Sequence, residues 1–226
     1  MDAAPRSPRE RFREQIRNEA KRVALDQLAE SGPAGISVNA IAKRMGITGP
    51  ALYRYFDSRD ALLTDLVVDA YNDLGDAMEA ATQAHRSAEP ATRFRELGAR
   101  FRAWALAQPH RYLLLFGTPV PGFQAPELTI GLADRAFRPV LDVVADLAPG
   151  GLPAERTAFD RQLTAWRERR GGSSLPPAVL QRALLAWSRM HGLISLEVEG
   201  QFGAMLVDPE PLFRAELESV LDQPWQ

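Results

Sequence analysis

The sequence predicts an all-α fold in two parts: an N-terminal three-helix helix-turn-helix domain over residues 1–60 and a larger C-terminal helical domain over residues 61–226. Three observations predict it. Apolar residues recur three and four positions apart along most of the chain, the period of one buried helix face. The stretch Ile36–Arg59, ISVNAIAKRMGITGPALYRYFDSR, reads as two short helices joined by a tight turn, with a long helix starting straight afterwards. A length of 226 residues, 46% hydrophobic and 25% charged, suffices for one small and one larger helical core.

The first helix follows from Phe12, Ile16, Ala20, Val23, Ala24 and Leu28, an amphipathic stripe ended by Gly32-Pro33-Ala34-Gly35. Ser37 can accept a hydrogen bond from an early helix amide and so caps the next helix, in which Ile41, Ala42 and Met45 share a face. Gly46 ends it, because a sharp bend there needs positive φ, and Ile47 drops back into the core. Thr48 caps the following short helix, with Pro50 in its first turn, where a missing N–H costs nothing. Leu52 and Phe56 point inward, four apart. Asp57-Ser58 caps the long helix carrying Leu62, Leu66, Val67, Ala70, Tyr71, Leu74 and Met78. It reaches about residue 84 and spans roughly 37 Å at 1.5 Å per residue.

In the larger domain Phe94, Leu97, Phe101, Trp104 and Ala105 stripe one helix, which Pro109 ends. A short apolar piece, His110–Gly117, and a loop with three prolines follow, then a helix over Leu128–Leu147 with Pro139 inside it. Another is expected over Arg156–Arg170, before Gly171-Gly172-Ser173-Ser174 breaks it. The last two helices run from Pro176 to about Glu199, striped by Leu180, Leu184, Trp187, His191 and Ile194, and from Asp208 onward, striped by Phe213, Leu217, Val220 and Leu221. They are the expected homodimer seam, with Gly192 and Ser195 small enough for another helix to approach.

Composition excludes several function classes. There is no cysteine, hence no disulfide and no thiolate ligand or nucleophile, and a reducing cytoplasm is the compatible compartment. No apolar run approaches the roughly 20 residues of a membrane span, and the N-terminus is too charged for a signal peptide. His85, His110 and His191 lie far apart without metal-ligand spacing, and no Gly-x-Ser-x-Gly elbow occurs, so neither a metal, a cofactor nor a catalytic residue is expected. Net charge is −2, but residues 1–60 hold 11 Lys and Arg against 8 Asp and Glu, while the remainder holds 16 against 21. The small excess of positive charge sits on the helix-turn-helix, the side a polyanion would approach. Arg6, Arg9, Arg11 and Arg13 crowd the N-terminus, either as an arm along a phosphate backbone or as a solvated tail.

Ser37, the pair Ile41-Ala42, the turn Gly46-Ile47-Thr48, Leu52-Tyr53, Tyr55-Phe56 and the cap Ser58-Arg59-Asp60 together resemble the N-terminal signature of the TetR-type transcriptional repressors. The pattern departs at Arg59, often Lys in that family, and at Asp60, usually Glu; both keep their charge. The segment Trp187-Ser188-Arg189-Met190-His191-Gly192-Leu193 is similar to one C-terminal subclass of the family, named for its Trp, His and Gly.

The resemblance implies a homodimer that binds a double-stranded, pseudo-palindromic operator and answers to a small-molecule effector in the larger domain. Ser37, Thr48, Tyr53, Tyr55 and Arg59 are expected on phosphates, with Val38 beside them. Asn39, Gly49, Pro50, Ala51 and Arg54 are expected at base edges. Trp104, Tyr112, Phe116, Phe137, Trp166 and His191 are candidate walls for an apolar effector, although such aromatics are more often core, and a buried histidine such as His191 more often a hydrogen-bonded structural one. The competing function is a small-molecule sensor or carrier of the same fold whose DNA-binding head is vestigial.

Overall fold

The computed structural model describes residues 7–32, 35–152, 157–172 and 175–225, and within them it holds eleven helices and no strand. Arg6, Pro33, Ala34, Arg156, Ser173 and Ser174, which the sequence reading used, lie outside the described residues.

Helices α2, α3 and α4 begin where the caps predict, and α1 has a cap that the stripe alone did not mark. Helix α1 (Pro8–Ser31) opens on a reciprocal capping box: the Ser7 hydroxyl accepts from the Glu10 amide at 3.2 Å and the Glu10 carboxylate accepts from the Ser7 amide at 2.8 Å. Helix α2 (Val38–Arg44) is capped by Ser37, which accepts the Ala40 amide at 3.4 Å. Gly46 follows at φ +70°, and the reversal lets the Ile47 amide donate to the Ala42 carbonyl at 3.0 Å. Helix α3 (Gly49–Leu52) is a single turn behind the Thr48 cap. Helix α4 (Arg59–Ala84) starts where Ser58 accepts the Ala61 amide at 3.0 Å.

The later helices are α5 (Pro90–Ala107), α6 (Pro109–Phe116), α7 (Leu128–Asp146), α8 (Ala158–Arg169), α9 (Pro177–Val198), α10 (Gln201–Met205) and α11 (Pro209–Asp222). Pro139 is accommodated inside α7, Thr157 and Asp160 form a second capping box for α8, and Asp208 caps α11. The five-residue α10 was not expected; it fits between Gly200 and Leu206, both in the left-handed region.

The chain divides into two compact units, Met1–Ala70 with His110–Pro126, and Tyr71–Pro109 with Glu127–Gln226. The expected boundary after residue 60 coincides with the start of α4, whereas the units divide ten residues later, inside that helix. In the first unit, Ala20, Val23, Ala24 and Leu28 of α1 pack with Ile36, Ile41, Leu52, Phe56, Leu62, Leu63 and Leu66. Val120 is buried in the same cluster, with Leu114 and Phe123 against it, so the segment after α6 completes this small core.

In the second unit α9 is the central helix, in contact with α5, α7, α8, α10 and α11. Its apolar stripe packs inward: Leu180 and Ile194 are buried within the unit and the Trp187 ring lies on Phe101, so the expected seam, if on this helix, falls to the face of Gly192 rather than to the stripe. An apolar stripe records that something covers a helix face, not whether that cover belongs to the same chain. Gly192 instead looks outward, with nothing near the place a side chain would occupy, on a face shared with the exposed Leu185 and Leu196.

Candidate nucleic-acid interface

The helix-turn-helix presents its expected residues unequally. Ser37 and Thr48 are exposed, and because each oxygen accepts a helix amide, each hydroxyl proton is left to donate outward. Pro50 is exposed, and Gly49 and Ala51 are half-buried. Asn39 is exposed and lies directly against Gly49: a Cβ at Gly49 would stand 2.3 Å from Asn39 Oδ1. Glycine there lets α2 and the start of α3 share one polar edge. Tyr53 is 45% exposed. Arg54 is exposed, and its guanidinium makes no hydrogen bond or ion pair among the described residues. A long cation in the turn just after a one-turn helix, without such a partner, is free to reach an acceptor outside the molecule.

Three predicted contacts have a second role. Val38 is buried in the small core, so its side chain is withdrawn from any surface contact. Tyr55 is half-buried against the same cluster. Arg59 donates from Nε to the Ile36 carbonyl at 3.1 Å and has Asp60 at 3.8 Å, tying the start of α4 to the strand of chain that leads into α2. Sequence reasoning passed over Lys43, an exposed cation in the last turn of α2 that makes no ion pair among the described residues. Its signal was present, as a lysine off the Ile41-Ala42-Met45 stripe.

The proposed effector walls are dispersed. Tyr112 and Phe116, with ring centres 5.3 Å apart, belong to the first unit. In the second unit Trp104 is buried and its indole N–H donates to Asp73 at 2.9 Å, which satisfies its polar atom inside the core. Phe137 meets Trp166 edge-on at 6.2 Å and Trp187 at 5.5 Å. Trp187 stacks on Phe101 at 4.7 Å and 9°, and meets His191 edge-on at 4.6 Å. Burial among these rings holds the His191 imidazole down at about 4, well below its ordinary 6.5, so it is neutral at physiological pH. Phe101 and Trp187 are the hub that the sequence reading missed; both lay on predicted stripes, but their stacking needs α5 and α9 to meet. A separate groove of about 420 Å³ opens between α5 and α11, floored by Ala99, Ala103, Leu106, Phe213 and Leu217.

Among the described residues no helix is long and apolar enough to cross a membrane, and no group of three or more acidic, histidine or cysteine side chains could hold a metal ion.

Comparison with known proteins agrees with this arrangement. Residues 22–66 match the family model described as bacterial regulatory proteins, tetR family, and residues 94–220 match that of the tetracyclin repressor-like C-terminal domain. The chain is similar to the HTH-type transcriptional regulator Rv1816 of Mycobacterium tuberculosis, 37% identical over 210 residues that cover 90% of each protein. It is similar in structure to SCO4313, at 45% identity and a TM-score of 0.81, covering 96% of this chain and 100% of that one. PfmR from Thermus thermophilus, a TetR family transcriptional regulator, shares the fold at 17% identity and a TM-score of 0.61, over 89% of this chain and 96% of that one.

Proposed function

The chain belongs to the TetR family of bacterial transcriptional regulators, and on that premise we propose that it is a ligand-responsive repressor acting as a homodimer on a pseudo-palindromic operator. The observation that carries the proposal is the edge of exposed Asn39, Pro50, Tyr53 and Arg54 around half-buried Gly49, where a one-turn helix is followed by an arginine with no ion pair among the described residues. Arg54 and Asn39 take base edges, since a guanidinium or a carboxamide can make two parallel hydrogen bonds to one base. Ser37, Thr48 and Tyr53 take phosphates and hold the register. Tyr55 and Arg59 support from behind as well as reaching the backbone.

Two reading heads must lie about 34–36 Å apart to enter successive major grooves, so the active species is a dimer, joined through the last two long helices. An apolar or aromatic effector, neutral or weakly charged, binds the second unit and favours a state whose heads no longer match that spacing. A ligand shifts the equilibrium only by its difference in affinity for the two states. The aromatic cluster of Phe137, Trp166, Trp187 and His191 supports an apolar ligand, because its one titratable member is held neutral.

Gel-shift titration with DNA from upstream of the chain's own coding region tests the reading. A selective shift over random DNA at equal salt is expected, reversed by compounds that raise the thermal midpoint. Equal affinity for both DNAs would leave the vestigial-head sensor as the better account.

A further inference from the structure

We propose that Arg17 of α1 is the positioning residue for the reading turn, holding Tyr53, Arg54 and Tyr55 at a set angle to α4 without touching DNA. Its guanidinium donates to two groups at once, the Tyr55 carbonyl at the end of the reading turn and the Asp65 carboxylate on α4. Its plane also lies over the Phe56 ring, 4.4 Å from the centroid. One side chain therefore joins three elements, all of them in the first unit.

The need for such a joint follows from the size of α3. Four residues make one turn, and a single turn has none of the cooperativity that lets a longer helix hold its own shape. Its exit must be fixed by contacts from outside. Leu52 and Phe56 anchor it from below by burial. Arg17 anchors its last carbonyl from the side, where a flat five-donor fork can serve a carbonyl, a carboxylate and an aromatic face together and a lysine cannot. One helical turn further along, Lys21 pairs with Asp69 at 2.5 Å, so α1 and α4 are joined by two matching rungs at i and i+4 on both helices. Only the Arg17 rung branches to the reading turn. The pairing with Asp65 leaves Arg17 partly neutralised and turned inward, unlike the exposed Arg54.

This inference rests on the DNA-regulator reading for its binding arm and is independent of it in a second arm. Arg17→Lys keeps the charge and the pair with Asp65 but removes the branch; Lys21→Met removes only the plain rung. In salt titrations on the preferred site and on random DNA, Arg17→Lys is expected to lower affinity for the preferred site about tenfold, the size of one charged hydrogen bond felt in the specific complex alone. Random-sequence affinity and the salt slope stay as in the wild type, and Lys21→Met leaves all three unchanged. In free protein, amide exchange at Tyr55 and Phe56 quickens about tenfold in Arg17→Lys while Ile41 and Ala42 of α2 are unaffected. Equal losses on both DNAs with a salt slope smaller by about one would overturn the proposal in favour of a direct phosphate contact. Unchanged exchange at Tyr55 and Phe56 would overturn it in favour of a plain ion pair. If the wild type prefers no DNA sequence at all, the regulator reading fails and the exchange result alone decides Arg17. Asp65→Asn, which releases the same guanidinium from the other side, should reproduce the exchange change if the lysine variant folds poorly.

Discussion

At the scale of single residues, cations near the reading turn divide by what already holds them. Arg54 is exposed and has no partner for its guanidinium among the described residues, whereas Arg59 is engaged with the Ile36 carbonyl. Arg54→Ala should therefore leave stability almost unchanged and relax sequence preference by about 1–3 kcal/mol, as when a bidentate base contact is lost. Equal losses on operator and random DNA would remove Arg54 from the base edge. Arg59→Ala should do two things together, weakening all DNA with a salt slope smaller by about one and lowering the thermal midpoint, because a buried-side carbonyl loses its donor. His191 makes a pH prediction. Its folded value near 4 lies below the ordinary 6.5, so the unfolded chain binds the extra proton first. The contribution of its neutral form is complete above pH 6.5 and declines as pH falls from 6.5 toward 4, by on the order of 3 kcal/mol over the whole interval. His191→Phe should flatten that part of a urea-unfolding stability profile; an unaltered slope would show that His191 is not the group responsible.

At the scale of elements, two glycines decide how helices meet, one by its backbone and one by a close approach. Gly46 sits at φ +70° with open space around the missing side chain, so a substitution there is penalised by backbone alone. Gly46→Ala should cost about 1–2 kcal/mol, the penalty of a left-handed residue with a Cβ, and should impair DNA binding through the angle between α2 and α3. Gly98 is the opposite case. A Cβ there would stand 2.7 Å from Leu217 Cδ2, which is buried where α11 crosses α5. Gly98→Ala should destabilise by about 1–3 kcal/mol through overpacking. Leu217→Ala should destabilise by about 2–5 kcal/mol through the cavity it leaves. The double variant should lose less than the sum, since the new methyl enters the vacated space; strict additivity in chemical denaturation would mean that the two helices separate rather than interlock.

At the scale of the whole molecule, the outward face of α9 matters most. Leu185, Gly192 and Leu196 lie there, with Leu212 exposed on α11 and Met205 and Leu206 exposed between them at 62% and 95%. Exposed apolar side chains of this size on the last helices are what a second copy would bury. Gly192→Leu should halve the mass seen by light scattering at micromolar concentration and abolish selective operator binding together, since one head cannot span two half-sites. An unchanged dimer mass would move the interface away from this face.

The order of the longer helices and the caps at Ser37, Thr48, Ser58 and Asp208 were legible in the sequence because they are local: a hydroxyl or carboxylate two or three residues from an amide is set by the chain itself. Gly46 and the Leu52–Phe56 spacing were legible for the same reason, and they suffice to mark the helix-turn-helix. What covers each stripe was decided only by tertiary structure. Periodicity gives a face its polarity but not its neighbour, so the Leu180–Trp187–Ile194 stripe did not by itself say that it meets Phe101 in its own chain. The arrival of Val120 in the reading-head core, the stacking of Trp187 and the three-way reach of Arg17 all join residues distant in sequence. Such contacts carry no periodic signal, because they depend on where helices converge in space rather than on how any one of them is spaced along the chain.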